Sequence, residues 1–176
     1  SWSNDWSTAS LNTILNDIYY NRDTEIRDAG DTIIDFSLTG ITEITRSNNL
    51  ISESNWYING AVSGEYANES YIGERTGNNT WPGKIALVYL SDYAYSVDSN
   101  NCSDVGYNYS LEACISLNWM ASVFMTNNNH RYSLITSNPS DSDLVWYVFE
   151  DGSVDSDLVT HYSPILPTLY LNPTLS

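Results

Sequence analysis

The chain is short of positive charge. Its 176 residues hold 6 Lys+Arg against 22 Asp+Glu, a formal net charge of -16 at pH 7. Lys84 is the single lysine. Nucleic-acid affinity rests on basic groups that displace counterions from phosphate, so this composition excludes nucleic acid as a default partner. It also disfavours adhesion to an anionic membrane surface. Charge of either sign is scarce. Only 16% of residues are charged, against about a quarter in a typical globular chain. His130 and His161 are the only histidines, and Cys102 and Cys114 the only cysteines. Neither histidine lies beside a GxSxG or comparable nucleophile motif. HExxH and CxxC are absent too, so triad, zinc and dithiol-redox chemistry have no support. The sequence also lacks a signal-like basic and apolar leader and any apolar run of membrane-spanning length. Direct membrane insertion of this segment is therefore not expected. If the protein is exported, the chain is expected to be a piece of something longer.

What the sequence does have is apolar and aromatic mass. The hydrophobic fraction is 41% and the aromatic fraction 13%, with 14 Tyr and 6 Trp. That is too rich for a disordered chain, and the length suits one domain with a sizeable core. Ser, Thr and Asn supply most of the polarity. Such a surface, with many Tyr and Trp, fits an extracellular protein whose aromatics serve contacts. In that setting Cys102 and Cys114 read as a disulfide, a closure worth about 3 kcal/mol in the chain-entropy model. The alternative is two reduced, buried thiols.

Periodicity marks one strong helix near the start. Leu11, Ile14, Leu15, Ile18 and Tyr19 fall on one face, with Ser10 or Thr8 as cap and Arg22 near the C-terminal end. Ile33, Ile34, Phe36, Leu38, Ile41 and Ile44 read as short strands around Gly40. Residues 47–80 read as loop, with Trp56-Tyr57-Ile58 as a short strand inside it. Residues 85–90 and 144–149 are continuous apolar runs, expected as strands buried on both faces. Asp151-Gly152 predicts a type I′ hairpin turn, with Val154 opening the return strand. Residues 111–120 read as a second helix. Residues 165–171 read as a strand that Pro167 confines to an edge or bulge.

Candidate chemistry is thin. Glycoside hydrolysis needs two carboxyls at defined separation, and Glu150-Asp151 is explained by the turn. Asp141-Ser142-Asp143 and Asp155-Ser156-Asp157 offer alternate oxygens of the kind calcium takes. Neither continues as an EF-hand loop, and both read as solvated turns, so no cofactor and no metal are expected. Asn68, Asn78, Asn101 and Asn108 begin Asn-x-Ser/Thr triplets, relevant only in a glycosylating host. Among the aromatics, Trp119 and Trp146 read as core. Trp56, Tyr57 and Trp81 are the candidates for contact with a ligand. No catalytic residue is assigned.

A resemblance covers most of the chain. Trp81-Pro82-Gly83-Lys84-Ile85-Ala86-Leu87-Val88-Tyr89 is similar to a Trp-x-Gly-Lys strand, and Ser91-Asp92-Tyr93-Ala94-Tyr95 to a Ser-Asp-Tyr-Gly-Tyr segment. A cysteine pair and Asn118-Trp119-Met120 follow, then the paired strands around Trp146 and Val154. Leu166-Pro167-Thr168-Leu169-Tyr170-Leu171 comes last. In this order they resemble extracellular domains of Gram-positive gut bacteria, related to C-type-lectin-like and formylglycine-generating-enzyme-like folds. These domains often follow a pilin-like helix. Residues 24–54 look like an insertion. Leu166 replaces a usual Arg, and Tyr132-Ser133-Leu134 a usual Trp-x-Leu. The Glu-Pro-Asn, Gln-Pro-Asp and Trp-Asn-Asp signatures of calcium-dependent lectins are absent, so neither lectin activity nor formylglycine chemistry is implied.

The expectation is an α+β, C-type-lectin-like domain over 1–176 with short antiparallel sheets and two helices. Its expected role is a non-enzymatic extracellular ligand-binding or adhesion module whose partner is a surface glycan or protein. The alternative is a structural head domain of a pilin-like appendage or fibre subunit, contacting copies of itself.

Overall fold

The computed structural model describes residues 4–27, 32–35, 40–43, 45, 50–60, 73–76, 78–96, 115–124, 131–160 and 165–172. The architecture is mixed helix and sheet, with small antiparallel sheets and few helices. This is compatible with the expected α+β class. Both cysteines, both histidines and Asn68, Asn101 and Asn108 lie outside the described residues.

The chain enters through a 3-10 turn, Trp6–Thr8, capped by Asp5, whose carboxylate accepts from Ser7 N at 2.9 Å. Helix α1, Ser10–Thr13, follows and continues as a π-helix over Ile14–Tyr19. Its expected apolar face holds: Ile14, Leu15 and Ile18 are buried and Leu11 and Tyr19 partly so. Neither Ser10 nor Thr8 is the cap; Ala9 stands there without a side-chain bond. The helix closes on Arg22, at φ 61°. Arg22 N donates to Tyr19 O and Asp23 N to Ile18 O, the paired bonds of a Schellman ending.

Strands β1, Thr24–Arg27, and β2, Thr32–Asp35, pair antiparallel. This hairpin lies inside the range read as an insertion, and β1 was not among the expected strands. Of the strands expected around Gly40, β2 forms. Glu43 and Thr45 are helical instead, and residues 36–39 and 44 lie outside the described residues. The Thr42 hydroxyl accepts from Thr45 N, the local side-chain bond that favours a helical turn over a strand.

Strand β3, Ser54–Tyr57, pairs with β4, Thr80–Gly83. Strand β5, Ile85–Leu87, is wholly buried and pairs with β9, Pro167–Leu169, joining residues 85 and 169. Pro167 sits at the end of that ladder, on an edge as expected. The strand ends at Leu87, Tyr89 remains extended, and Leu90, where the strand was expected to end, begins helix α2, Leu90–Tyr95. Helix α3, Trp119–Phe124, comes next. Of the helix expected over 111–120, residues 115, 116, 119 and 120 are helical and residues 111–114 lie outside the described residues.

The largest sheet is β6, Tyr132–Ser137, with β7, Leu144–Val148, and β8, Val154–Leu158. Val148 faces Val154 across the β7–β8 hairpin. Its loop spans 149–153 rather than the expected two-residue turn. Gly152 takes φ 81° and no other residue of the loop has positive φ, so a type I′ turn does not form. Ser153, through its N–H and hydroxyl, binds the Asp151 carboxylate and holds it below the usual range.

Alternation along β6 and β7 separates two faces. Tyr132, Leu134, Trp146 and Val148 join Val154, Leu90 and Tyr93 in one apolar cluster. Ile135 faces the other way, into a second cluster with Trp6, Leu15, Trp56, Ile85 and Leu87. Trp146 is core, as expected. Asn16 ties the helix to this second cluster. Its Oδ1 accepts from Lys84 N and Ile85 N, each at 2.9 Å, and its Nδ2 donates to Ile85 O at 2.7 Å. The side chain imitates an adjoining strand just before β5.

Candidate functional site

The face of β6–β7 opposite the first cluster is covered by the N-terminal 3-10 turn, and a pocket of about 230 Å³ opens between them. Its apolar walls are Trp6, Leu11, Leu87, Val145 and Tyr147, with Asn4, Thr8, Ser10 and Ser133 adding polar atoms. Alternation places Ser133, Ile135, Val145 and Tyr147 here for the same reason that it sends Trp146 the other way, while Leu134, a member of the first cluster, also borders the pocket. No described lining residue is charged.

Most polar groups around the pocket are already committed. Asn4 Nδ2 donates to the carbonyls of Asn138, Asp141 and Leu144 at 3.2, 3.0 and 2.8 Å. This fastens the segment before the turn to the β6–β7 connection. The Thr8 hydroxyl donates to Asp5 O and the Tyr147 hydroxyl to Leu158 O. Trp6 differs. It is 5% exposed, and its indole Nε1 has no hydrogen-bond partner among the described residues. A buried donor left unpaired costs about 1–3 kcal/mol.

Of the three aromatics expected to contact a ligand, Trp56 is arranged otherwise. Trp56 does not lie on the surface: it is 1% exposed, inside β3. Its indole N–H donates to Gly83 O at 2.9 Å, and its ring stacks on Tyr170 at 4.8 Å and Tyr89 at 6.3 Å. Trp81 is half-buried in β4, edge-on to Trp6 at 6.1 Å and folded against Gly83. Tyr57 is half-buried and its carbonyl accepts from the Tyr89 hydroxyl. Strand pairing explains the change: Trp56 and Trp81 are cross-strand partners, and loop-like sequence concealed that pairing. Trp119, expected in the core, is 64% exposed. It starts α3, where Asn118 Oδ1 accepts from Met120 N and Ala121 N. The cap therefore sets the helix's direction, and Ala121 rather than Trp119 faces inward.

Sequence reasoning missed a buried ionic knot. Glu74 is fully buried in a short helical turn over 73–75. Its carboxylate accepts from the Ser91 hydroxyl, from the Thr136 hydroxyl at 2.6 Å and from Ser91 N, and it pairs with Arg75. Thr136 Oγ1 in turn accepts from Leu90 N at 2.9 Å. Tyr89, the cap residue of α2, provides no side-chain bond, so Glu74 and Thr136 satisfy the first N–H groups of that helix from elsewhere in the chain. Burial pushes the Glu74 carboxyl up, against the hydrogen bonds and the Arg75 charge that hold it down. Arg75 also binds Asp92 at 2.8 Å and lies over the Tyr89 ring at 4.2 Å. Asp92 is likewise raised by burial, and so is the Tyr89 hydroxyl. Glu74 is sealed from solvent and acts as scaffold. A Glu-Arg pair among glycines has no periodicity, so nothing in the sequence marks it.

Three of the four aspartates considered for calcium have local partners, Asp155 Oδ1 accepting from Ser156 N. Asp141 Oδ1 accepts from Asp143 N, and Asp157 pairs with Arg131. Among the described residues no group of three or more His, Cys, Asp or Glu is placed to hold a metal ion. No described helix is long and apolar enough to cross a membrane.

No family model matches the chain. No curated protein matches it. No solved structure matches it.

Proposed function

We propose that the chain is a non-enzymatic extracellular binding module of C-type-lectin-like architecture, one domain over 1–176, stapled by a Cys102–Cys114 disulfide. Its ligand enters the pocket between the Trp6 turn and β6–β7. The observation that carries this reading is the pocket itself: a concave site with apolar walls and few polar atoms, built on a sheet whose opposite face is packed core. Such sites are the ordinary form of small-ligand recognition. The α+β layout with small antiparallel sheets is compatible with the proposed architecture, and the low-charge, Ser/Asn/Tyr-rich composition supports the extracellular setting.

The test pairs a glycan array with a small-molecule screen read by backbone amide shifts. A true ligand moves the resonances of Val145, Tyr147 and Leu87 saturably, and Ser133→Phe, which fills the pocket, abolishes the effect. Reproducible silence of those residues in both screens overturns the reading.

One observation favours the appendage reading as the second. Trp119, Leu117 and Tyr95 are 64%, 47% and 49% exposed, and Trp119 N donates to Ser96 O, which brings their backbones together. Exposed apolar clusters mark interaction surfaces. Self-association in sedimentation that Trp119→Ser abolishes supports a self-contacting subunit. A chain that stays monomeric at high concentration rules it out.

A further inference from the structure

We propose that Asp155 and Asp157 guard the outer edge of β8 against the addition of a further strand, and that the strand they exclude is β8 of a second copy of this chain. The opposite edge of the sheet is covered. There Ile135 N donates to Val88 O at 3.0 Å, and Ser133 and Ser137 bridge to Ile165 and Gly60. Among the described residues, β8 pairs with β7 alone. Phe149 N donates to Ser153 O and Val159 N to Asp143 O. Residues 153 and 159 thus bond inward, and with a period of two so do 155 and 157. Antiparallel pairing then turns the N–H and C=O groups of Val154, Ser156 and Leu158 outward. Such a row is a template for another strand.

The row is already engaged. Ser156 N donates to Asp155 Oδ1 and Leu158 N to Asp157 Oδ1, each at 2.7 Å. Leu158 O accepts from the Tyr147 hydroxyl at 3.0 Å. Asp157 is held through its other oxygen by Arg131, whose guanidinium lies over the Tyr147 ring at 5.6 Å. An incoming strand would exchange these bonds for backbone ones, which leaves little surplus to offset the ordering of two chains. Charge is a second barrier, and it acts on like chains. In a twofold antiparallel pairing centred on Ser156, Asp155 of each copy stands opposite Asp157 of the other. Like charges directly opposite destabilise such a pair. A net charge of -16 on each chain opposes the approach as well. Without these acids the edge would attract, because Leu158 at its end is 42% exposed and would gain cover from a second copy.

The test compares the full wild-type chain with the double variant Asp155→Ala/Asp157→Ala, by sedimentation and by amide exchange over a concentration series. The double variant is expected to self-associate at least about tenfold more tightly than wild type. In it, exchange of the Ser156 and Leu158 amides is expected to slow as concentration rises. In wild type that exchange is expected to be independent of concentration. Should the double variant fail to fold because Arg131 loses its partner, Asp155→Ala alone decides, with the same direction expected at Ser156. Variants that associate no more than wild type overturn the proposal. So does association that leaves both amides unchanged, since the contact then lies on another surface, such as that of Trp119. Slowed exchange of these amides in concentrated wild type overturns it too, because the edge would then be open with both acids in place. None of these outcomes depends on whether the pocket takes a ligand.

Discussion

The Thr136 hydroxyl in β6 donates a hydrogen bond to Glu74 at 2.6 Å and accepts one from Leu90 N. The start of α2 is thereby hung between a strand and a distant turn. Glu74→Ala removes the acceptor for the Ser91 and Thr136 donors and leaves Arg75 half-paired. The expected loss is about 3 kcal/mol, read as a lower urea midpoint with unchanged slope.

The same carboxyl predicts a pH dependence. Its folded pKa is raised above the ordinary value of 4.5, chiefly by burial, so the folded state holds this proton more tightly than the unfolded chain. The associated stabilisation is full below the unfolded value and lost as pH rises through the folded one. Relative to Glu74→Gln, which does not titrate, the wild-type protein is expected to lose stability as pH climbs from about 4.5. Urea melts of both proteins across pH 4–8 check this. A difference that stays flat, or that moves in the opposite direction, would refute it.

Gly152 combines φ 81° with contact: an added Cβ would collide with Ile115 and lie 3.3 Å from the Tyr93 hydroxyl. That hydroxyl donates to Gly152 O at 2.7 Å. Gly152→Ala should therefore cost about 2 kcal/mol, beyond the backbone strain alone. Tyr93→Phe should cost about 1 kcal/mol. Because the two share one contact, the double variant should fall short of the sum.

Asn16 acts through both ends of its amide. Asn16→Ala removes the bonds to Lys84 N, Ile85 N and Ile85 O, for an expected loss of about 2 kcal/mol. Asn16→Asp keeps the acceptor but turns an oxygen toward Ile85 O, and should be no better. Hydrogen exchange at the Ile85 amide would rise in the alanine variant and stay slow in the aspartate one.

The tryptophans separate by quenching. Trp119, the most exposed described tryptophan, should carry most of the acrylamide-accessible emission, whereas Trp56 should contribute a blue-shifted, protected component. Trp119→Phe removes the first and Trp56→Phe the second. Equal quenching in both variants would contradict these placements.

Short-range pattern made the apolar elements legible. The face of Ile14, Leu15 and Ile18, the buried runs in β5 and β7, and the return strand from Val154 all announce themselves through periodicity or turn chemistry. Contacts between remote segments did not. Trp56 is buried because β4 pairs with β3, and Glu74 matters because Ser91 and Thr136 arrive beside it. Neither event leaves a local mark in the residues concerned. Trp119 shows the converse. Its apolar identity suggested core, yet the Asn118 cap set a helix direction that turned it outward. The pocket was equally hidden, since it needs the Trp6 turn to lie across β6–β7.

The β5–β9 ladder has a consequence for synthesis. Ile85, Ala86 and Leu87 leave the ribosome long before Pro167, Thr168 and Leu169 exist to pair with them. Until then this wholly apolar strand of the nascent chain has an open edge, the kind of surface that recruits other chains. Folding is thus obliged to finish late and slowly, by a contact of long sequence separation. A chaperone that shields an extended apolar segment would raise the yield of this protein more than one that accelerates local helix formation.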